Sequence, residues 1–302
     1  HGVLIGLLGS SATFGPMLAD VSRWFARRRG LAVSIAACGS YFAGALWPPL
    51  IQALVDGWGW RAAHVAIGVF CFATILPLSA FLRRPPPVAS TERPRTMRAA
   101  AEGGTAPFGL SPGVLQVLLV LAGLACCIAM AMPQVHVVAL CTQLGYGPVV
   151  GVQMLSLMLA SGIASRLAFG AIADRIGPLP TLAISSALQA VSLLMFLPFD
   201  GLVPLFLVSA LFGLAQGGIV PTYAMVVRAF FPASEAAQRI GLVLSATLVG
   251  MAIGGWMSGA IFDAYLSYAP AFVNGFLWNL LNVSIALFLL WRLGSGRLAP
   301  AT

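Results

Sequence analysis

Lysine is absent from this 302-residue chain, and the eight acids face 16 arginines, so that charged residues make up only 8% of the sequence. Ordinary soluble domains carry about 25% charged residues, and so sparse a charge excludes that class. Histidine occurs only at His1, His64 and His136, and cysteine at Cys38, Cys71, Cys126, Cys127 and Cys141. Neither set has metal-ligand spacing. The thiols lie within or at the ends of apolar segments, where they behave as small hydrophobes; no disulfide framework, metal or cofactor is expected. Segments alternating with period two are missing, which excludes a membrane barrel. The basic residues form no face interleaved with aromatics, so nucleic acid is not an expected partner. Arginine-only usage reads as base composition of the coding DNA. Neither a methionine nor a charged leader precedes "HGVLIG", and the expected reading of that opening is neither signal peptide nor natural start.

What the chain does have is apolar length. Hydrophobic residues make up 60%, mean hydropathy is +0.96, and a span needs about 20 apolar residues. Nine segments qualify, near 1–22, 31–55, 61–82, 112–138, 149–172, 179–198, 202–227, 240–262 and 270–291. They are expected to be helices, because backbone polar groups in lipid need internal partners. Arginines cluster after the first, third, fifth, seventh and ninth segments, while the other joints carry Arg61 beside Asp56, Asp200 and Asp263. The positive-inside rule makes the arginine-rich joints cytoplasmic, in a multi-pass protein of the plasma membrane or a bacterial inner membrane, in contact with lipid.

"PMLADVSRWF" (16–25) matches "PTYAMVVRAF" (221–230) at Pro, Arg and Phe, and "GLAVS" (30–34) resembles "GLVLS" (241–245). Asp56 with Gly68 repeats as Asp263 with Gly275. The first three segments thus read as copies of the last three, and paired transporter repeats would place three further helices ahead of His1. The expected organisation is residues 1–82 as the last three helices of an N-terminal half and 83–111 as a Pro- and Arg-rich cytoplasmic linker. A six-helix C-terminal half over 112–292 and a cytoplasmic tail at 293–302 complete it.

These residues resemble the major facilitator superfamily, and within it the monocarboxylate transporter and oxalate/formate antiporter group. "PMLADVSRWFARRRGLAVSIAACGS" (16–40), "GWR" (59–61), "RRP" (83–85) and "GAIADRIG" (170–177) carry the resemblance. It implies the all-α major facilitator fold, with the nine segments as helices 4–12 of twelve.

Arg166 is the lone charge between Val149 and Ala173. Guanidinium in hydrocarbon costs about 2.5–3.5 kcal/mol on insertion scales, so it is expected to face a wet cavity or a partner, the alternative being a side chain that snorkels to the interface. Its planar fork suits a carboxylate. The resemblance places Arg166 and Gly170 on the family's helix-eight arginine and glycine, but implies an aspartate four residues before the arginine, where this chain has Gly162. His136 is open to two readings, proton or substrate binding and a satisfied core histidine; Gln134, two residues earlier, points elsewhere on the helix. Gln216 stands where the resembling family has a cavity-lining aromatic; it could bind a carboxylate or hydroxyl, or pack a neighbouring helix beside Gly213 and Gly217. Tyr223 and Phe14 are weaker candidates for the cavity wall. Gly170, Asp174, Arg175 and Gly177 form the superfamily's loop motif, which implies a cytoplasmic gate.

The expected function is secondary transport of small organic anions, mono- or dicarboxylates, by alternating access, with uniport, proton symport and exchange for a counter-transported anion all open. The alternative cargo is an amphiphilic drug or siderophore moving outward. A membrane enzyme would show clustered nucleophiles or ligands near one face and a sensor a soluble output domain; the sequence has neither.

Overall fold

The computed structural model describes residues 11–25, 28–81 and 107–298. Nine α-helices and one 3-10 turn (Pro107–Gly109) make up the described residues, without strands. Helix α1 spans Ser11–Trp24, α2 Arg29–Phe81, α3 Pro112–Gln143, α4 Pro148–Ile176 and α5 Pro178–Leu194. Then follow α6 Leu202–Gln216, α7 Ile219–Phe230, α8 Ala233–Tyr265 and α9 Ala269–Leu298. Seven stretches are long and apolar enough to cross a membrane, and Pro178–Leu194 is a shorter apolar helix. The first expected segment lies partly outside the described residues, as does most of the expected linker.

Three starts are written in proline. Pro112, Pro148 and Pro178 open α3, α4 and α5, at positions where a missing N–H costs nothing and a fixed φ helps. The Ser111 hydroxyl also accepts from the Val114 N–H at 3.3 Å.

Helix α2 is 53 residues long but turns back on itself at Gly59, whose φ of 76° and ψ of 159° interrupt the helix. Trp47 and Phe70 have ring centroids only 5.6 Å apart, whereas a straight helix would separate them by about 35 Å. The two arms are the second and third expected segments, joined by a glycine hinge. The seventh expected segment is also interrupted: Gly217 and Gly218 separate α6 from α7. A Cβ at Gly217 would strike the Gly162 carbonyl, and one at Gly218 would strike Phe169, so α4 lies against this break.

Of the seven apolar spans, that of helix α3 is the most enclosed; α3 packs along α8 and α9, while α2 packs along α4 and α4 along α6. Glycine permits these approaches. Gly250 and Gly254 of α8 lie against the backbone of Leu124 and Ile128, and Gly213 of α6 against Met158. In lipid, where apolar contact alone drives nothing together, such close packing is a main source of helix association. Gly213→Val and Gly250→Val are each expected to lower stability by about 1–3 kcal/mol, measured by thermal unfolding in detergent. Gly294→Ala, where nothing lies within 4 Å, is expected to stay within about 0.5 kcal/mol.

Candidate functional site

Arg166 is 3% exposed and reaches away from lipid, between helices. Its Nε donates to the Gly217 carbonyl at 3.0 Å, and its Nη1 to the Ser40 hydroxyl at 3.0 Å and to the Ala37 carbonyl. The guanidinium carbon lies 3.6 Å from the centroid of the Tyr41 ring, a cation–π contact that strengthens when desolvated. Each partner has a sequence-level cause. Residue 221, four after Gly217, is proline, which has no N–H to give the Gly217 carbonyl, so that acceptor is left for Arg166. Ala37, Ser40 and Tyr41 are spaced i, i+3, i+4 and share one face of α2.

Gly162 explains how the chain does without the aspartate implied by the resemblance. A Cβ there would run into the Tyr41 ring, so the aromatic face occupies the space a carboxylate would need. The positive charge is balanced by a ring and carbonyl dipoles.

Beside this cluster opens a cavity of about 400 Å³, lined by Arg166, Ser40, Tyr41, Gln134 and Thr247 among polar residues and by Phe14, Met130, Val220, Leu244, Leu248 and Met251 among apolar ones. Its wall holds one formal charge, that of Arg166, and no acid among the described residues. Phe14 sits on the wall. Gln134 does too: the two residues diverge on the helix, and α3 turns Gln134 toward the cavity and His136 toward α8. The Nε2 of His136 meets the Gly255 carbonyl at 2.9 Å and its ring lies 5.5 Å from that of Tyr268, which places it outside the cavity wall.

Gln216 is wholly buried behind Gln134, whose Nε2 donates to the Gln216 Oε1 at 3.0 Å. The Gln216 Nε2 has no hydrogen-bond partner among the described residues, a state that costs about 1–3 kcal/mol. Tyr223 is also wholly buried and away from the cavity wall. Its hydroxyl donates to Asn282 Oδ1 at 2.6 Å; Asn282 in turn donates to the Ser186 hydroxyl at 2.8 Å, and Asn279 to the Ser186 carbonyl at 2.9 Å. This network ties α7, α9 and α5 together.

At one end of α4, Asp174 joins a second helix. Its Oδ1 accepts from the Gly30 N–H at 2.7 Å and its Oδ2 from the Leu31 N–H at 3.1 Å, so the carboxylate caps the start of α2 with favourable dipole sense. Gly30 and Gly170 allow the approach, since a Cβ on Gly30 would lie 2.8 Å from Asp174 Oδ1 and one on Gly170 would overlap Ser34. Gly177 ends α4 with φ of 93°, in the region that favours glycine. Arg175 is exposed in the last turn.

The sequence profile of the Major Facilitator Superfamily matches residues 2–203 and again 154–301. The chain belongs to this superfamily. Rat "Monocarboxylate transporter 13" is similar to it, 29% identical over 282 residues, covering 89% of this chain and 62% of the relative. "MFS-type transporter pynF" of Aspergillus niger is 27% identical over 272 residues, with 87% and 59% covered. The chain thus spans about three fifths of the length of the curated relatives it matches. Among solved structures, the superfamily transporter FucP, in its outward conformation, aligns with a TM-score of 0.61 at 15% identity, over 88% of this chain and 68% of that one; the fold is shared. Both named relatives are eukaryotic.

Tyr223→Phe leaves Asn282 Oδ1 without that donor and is expected to cost about 1–3 kcal/mol in thermal unfolding, with ligand binding at the cavity unchanged.

Proposed function

We propose that the protein is a secondary transporter of small organic anions, mono- or dicarboxylates, and that Arg166 is the anchor for the carboxylate. The observation that carries this reading is a buried guanidinium on the wall of a cavity to which the described residues contribute no acid. Its Nε and Nη1 donate to protein acceptors, and the residue also lines the cavity. A fixed positive charge in a low-dielectric recess focuses field on anions and disfavours cations. The printed name of the rat relative agrees with this class of cargo.

Alternating access requires contacts that differ between the two forms. Arg166 reaches Ala37 and Ser40 of α2, and Asp174 reaches the start of the same helix. If residues 1–82 belong to one half and 112–292 to the other, both contacts cross between halves. A bound carboxylate competes for Arg166 with the Ala37 carbonyl and the Ser40 hydroxyl, and so loosens one cross-half contact as it forms its own. Asp174, with Gly170 and Gly177 shaping the approach, acts as the cytoplasmic latch, and Arg175 marks the side. Uniport, proton symport and exchange for a counter-transported anion are all compatible with this arrangement.

A second reading keeps the fold and changes the cargo to an amphiphilic compound moving outward. The six apolar side chains on the cavity wall favour it. Uptake decides between them. In proteoliposomes, Arg166→Gln is expected to reduce uptake of labelled short-chain carboxylates by about 10- to 100-fold, the scale of one or two charge-assisted hydrogen bonds; unchanged uptake excludes the anchor. For the latch, Asp174→Ala is expected to raise labelling of a cysteine placed at the buried position Ser34 by about two- to fivefold, in line with a carboxylate at a helix start. An unaltered labelling rate excludes a latch at Asp174.

A further inference from the structure

The Gln134–Gln216 pair has a property that neither residue has alone. A primary amide offers a carbonyl with two lone pairs and an NH2 with two donors. Only one hydrogen bond joins the two amides, from Gln134 Nε2 to Gln216 Oε1. In this sense of the bond the Gln216 NH2 is buried without an acceptor among the described residues, while Gln134 also lines the cavity. Turning both side-chain amides by half a rotation reverses the bond. Gln216 then donates to Gln134, the orphan becomes a carbonyl, which tolerates missing partners better than an N–H does, and the Gln134 NH2 is presented to the cavity. Gln216 is wholly buried, so its hydrogen bonding depends chiefly on Gln134.

The pair is therefore a two-state element at the wall that holds Arg166, and Tyr41 adjoins both Arg166 and Gln134. We propose that Gln134 is a specificity-determining contact for a second oxygen function on the transported anion, a hydroxyl or a second carboxylate, with Gln216 as the residue that positions it. The proposal rests on the organic-anion reading above. Arg166 holds the first carboxylate. Gln134 presents its NH2 to a second carboxylate and its carbonyl to a hydroxyl, the sense being chosen by the cargo. An unsubstituted chain offers Gln134 nothing and leaves a polar group of the wall unpaired, which is how a hydrogen-bonding site discriminates strongly against the analogue that lacks the group.

Binding of butanoate, 3-hydroxybutanoate and butanedioate to the purified full chain, followed by tryptophan fluorescence, tests this. The wild type is expected to bind both oxygenated probes about tenfold or more tighter than butanoate. Gln134→Met is expected to abolish that preference while leaving butanoate binding within about twofold, and Gln216→Met to reduce it in the same direction. Gln134→Asn, which keeps an amide but is too short to meet Gln216, serves if the methionine variant does not fold, and is expected to lose most of the preference. A preference that survives in Gln134→Met or Gln134→Asn overturns the proposal. The Arg166→Gln variant separates the two levels: loss of all three probes there together with a preference unchanged by Gln134 substitution sinks this inference alone. Failure of the wild type to bind any probe, or undiminished binding in Arg166→Gln, overturns the organic-anion reading and this inference with it.

Discussion

A guanidinium buried within an apolar helix bundle must be surrounded by acceptors, and much of the local structure around Arg166 meets that requirement. An unpaired charge there would be far costlier than the loss of any ordinary hydrogen bond. None of the described residues supplies a carboxylate for it. Instead, the interruption between α6 and α7 frees the Gly217 carbonyl, because Pro221 cannot donate to it; α2 supplies the Ala37 carbonyl, the Ser40 hydroxyl and the face of Tyr41. Gly162 and Gly217 are small for the same reason. Side chains at either position would displace Tyr41 or α4 and break the shell.

That shell leaves the positive charge balanced by dipoles and a ring, none of which carries a full negative charge. An anion entering the cavity would therefore meet no acid among the described residues of the wall, and its attraction would not first have to displace a carboxylate from them. Further along the same helix, Asp174 makes the reverse arrangement with the backbone N–H groups of Gly30 and Leu31. Helix α4 thus meets α2 through a cation at one level and an anion at another, each satisfied chiefly by uncharged groups. Contacts of this kind are strong enough to hold one arrangement and weak enough to be exchanged.

Spans were the most legible part of the sequence, since apolar length is a direct consequence of the bilayer's thickness. The hinge at Gly59 and the turn at Gly217–Gly218 were less so, since both fall within long apolar stretches. Arg166 was conspicuous because a lone charge in such a stretch always demands a partner. Its partners on α2 were not conspicuous, being small or aromatic residues of ordinary helical spacing; Ala37, Ser40 and Tyr41 become informative only once α2 is known to pack on α4. Gln134 and His136 show the same limit. Two residues apart on a helix, they point in different directions, and the sequence could establish that divergence without telling which of them faces the cavity. The coincidence of Gly217 with a proline four residues later was available in the sequence and marks a free carbonyl beforehand.

The most direct measurement is an experimental structure of the protein with a bound short-chain carboxylate such as butanedioate. The account predicts carboxylate oxygens within hydrogen-bonding distance of the Arg166 guanidinium, with at least one of its bonds to Ala37 or Ser40 given up. A carboxylate bound elsewhere, with the Arg166 shell intact, would contradict it.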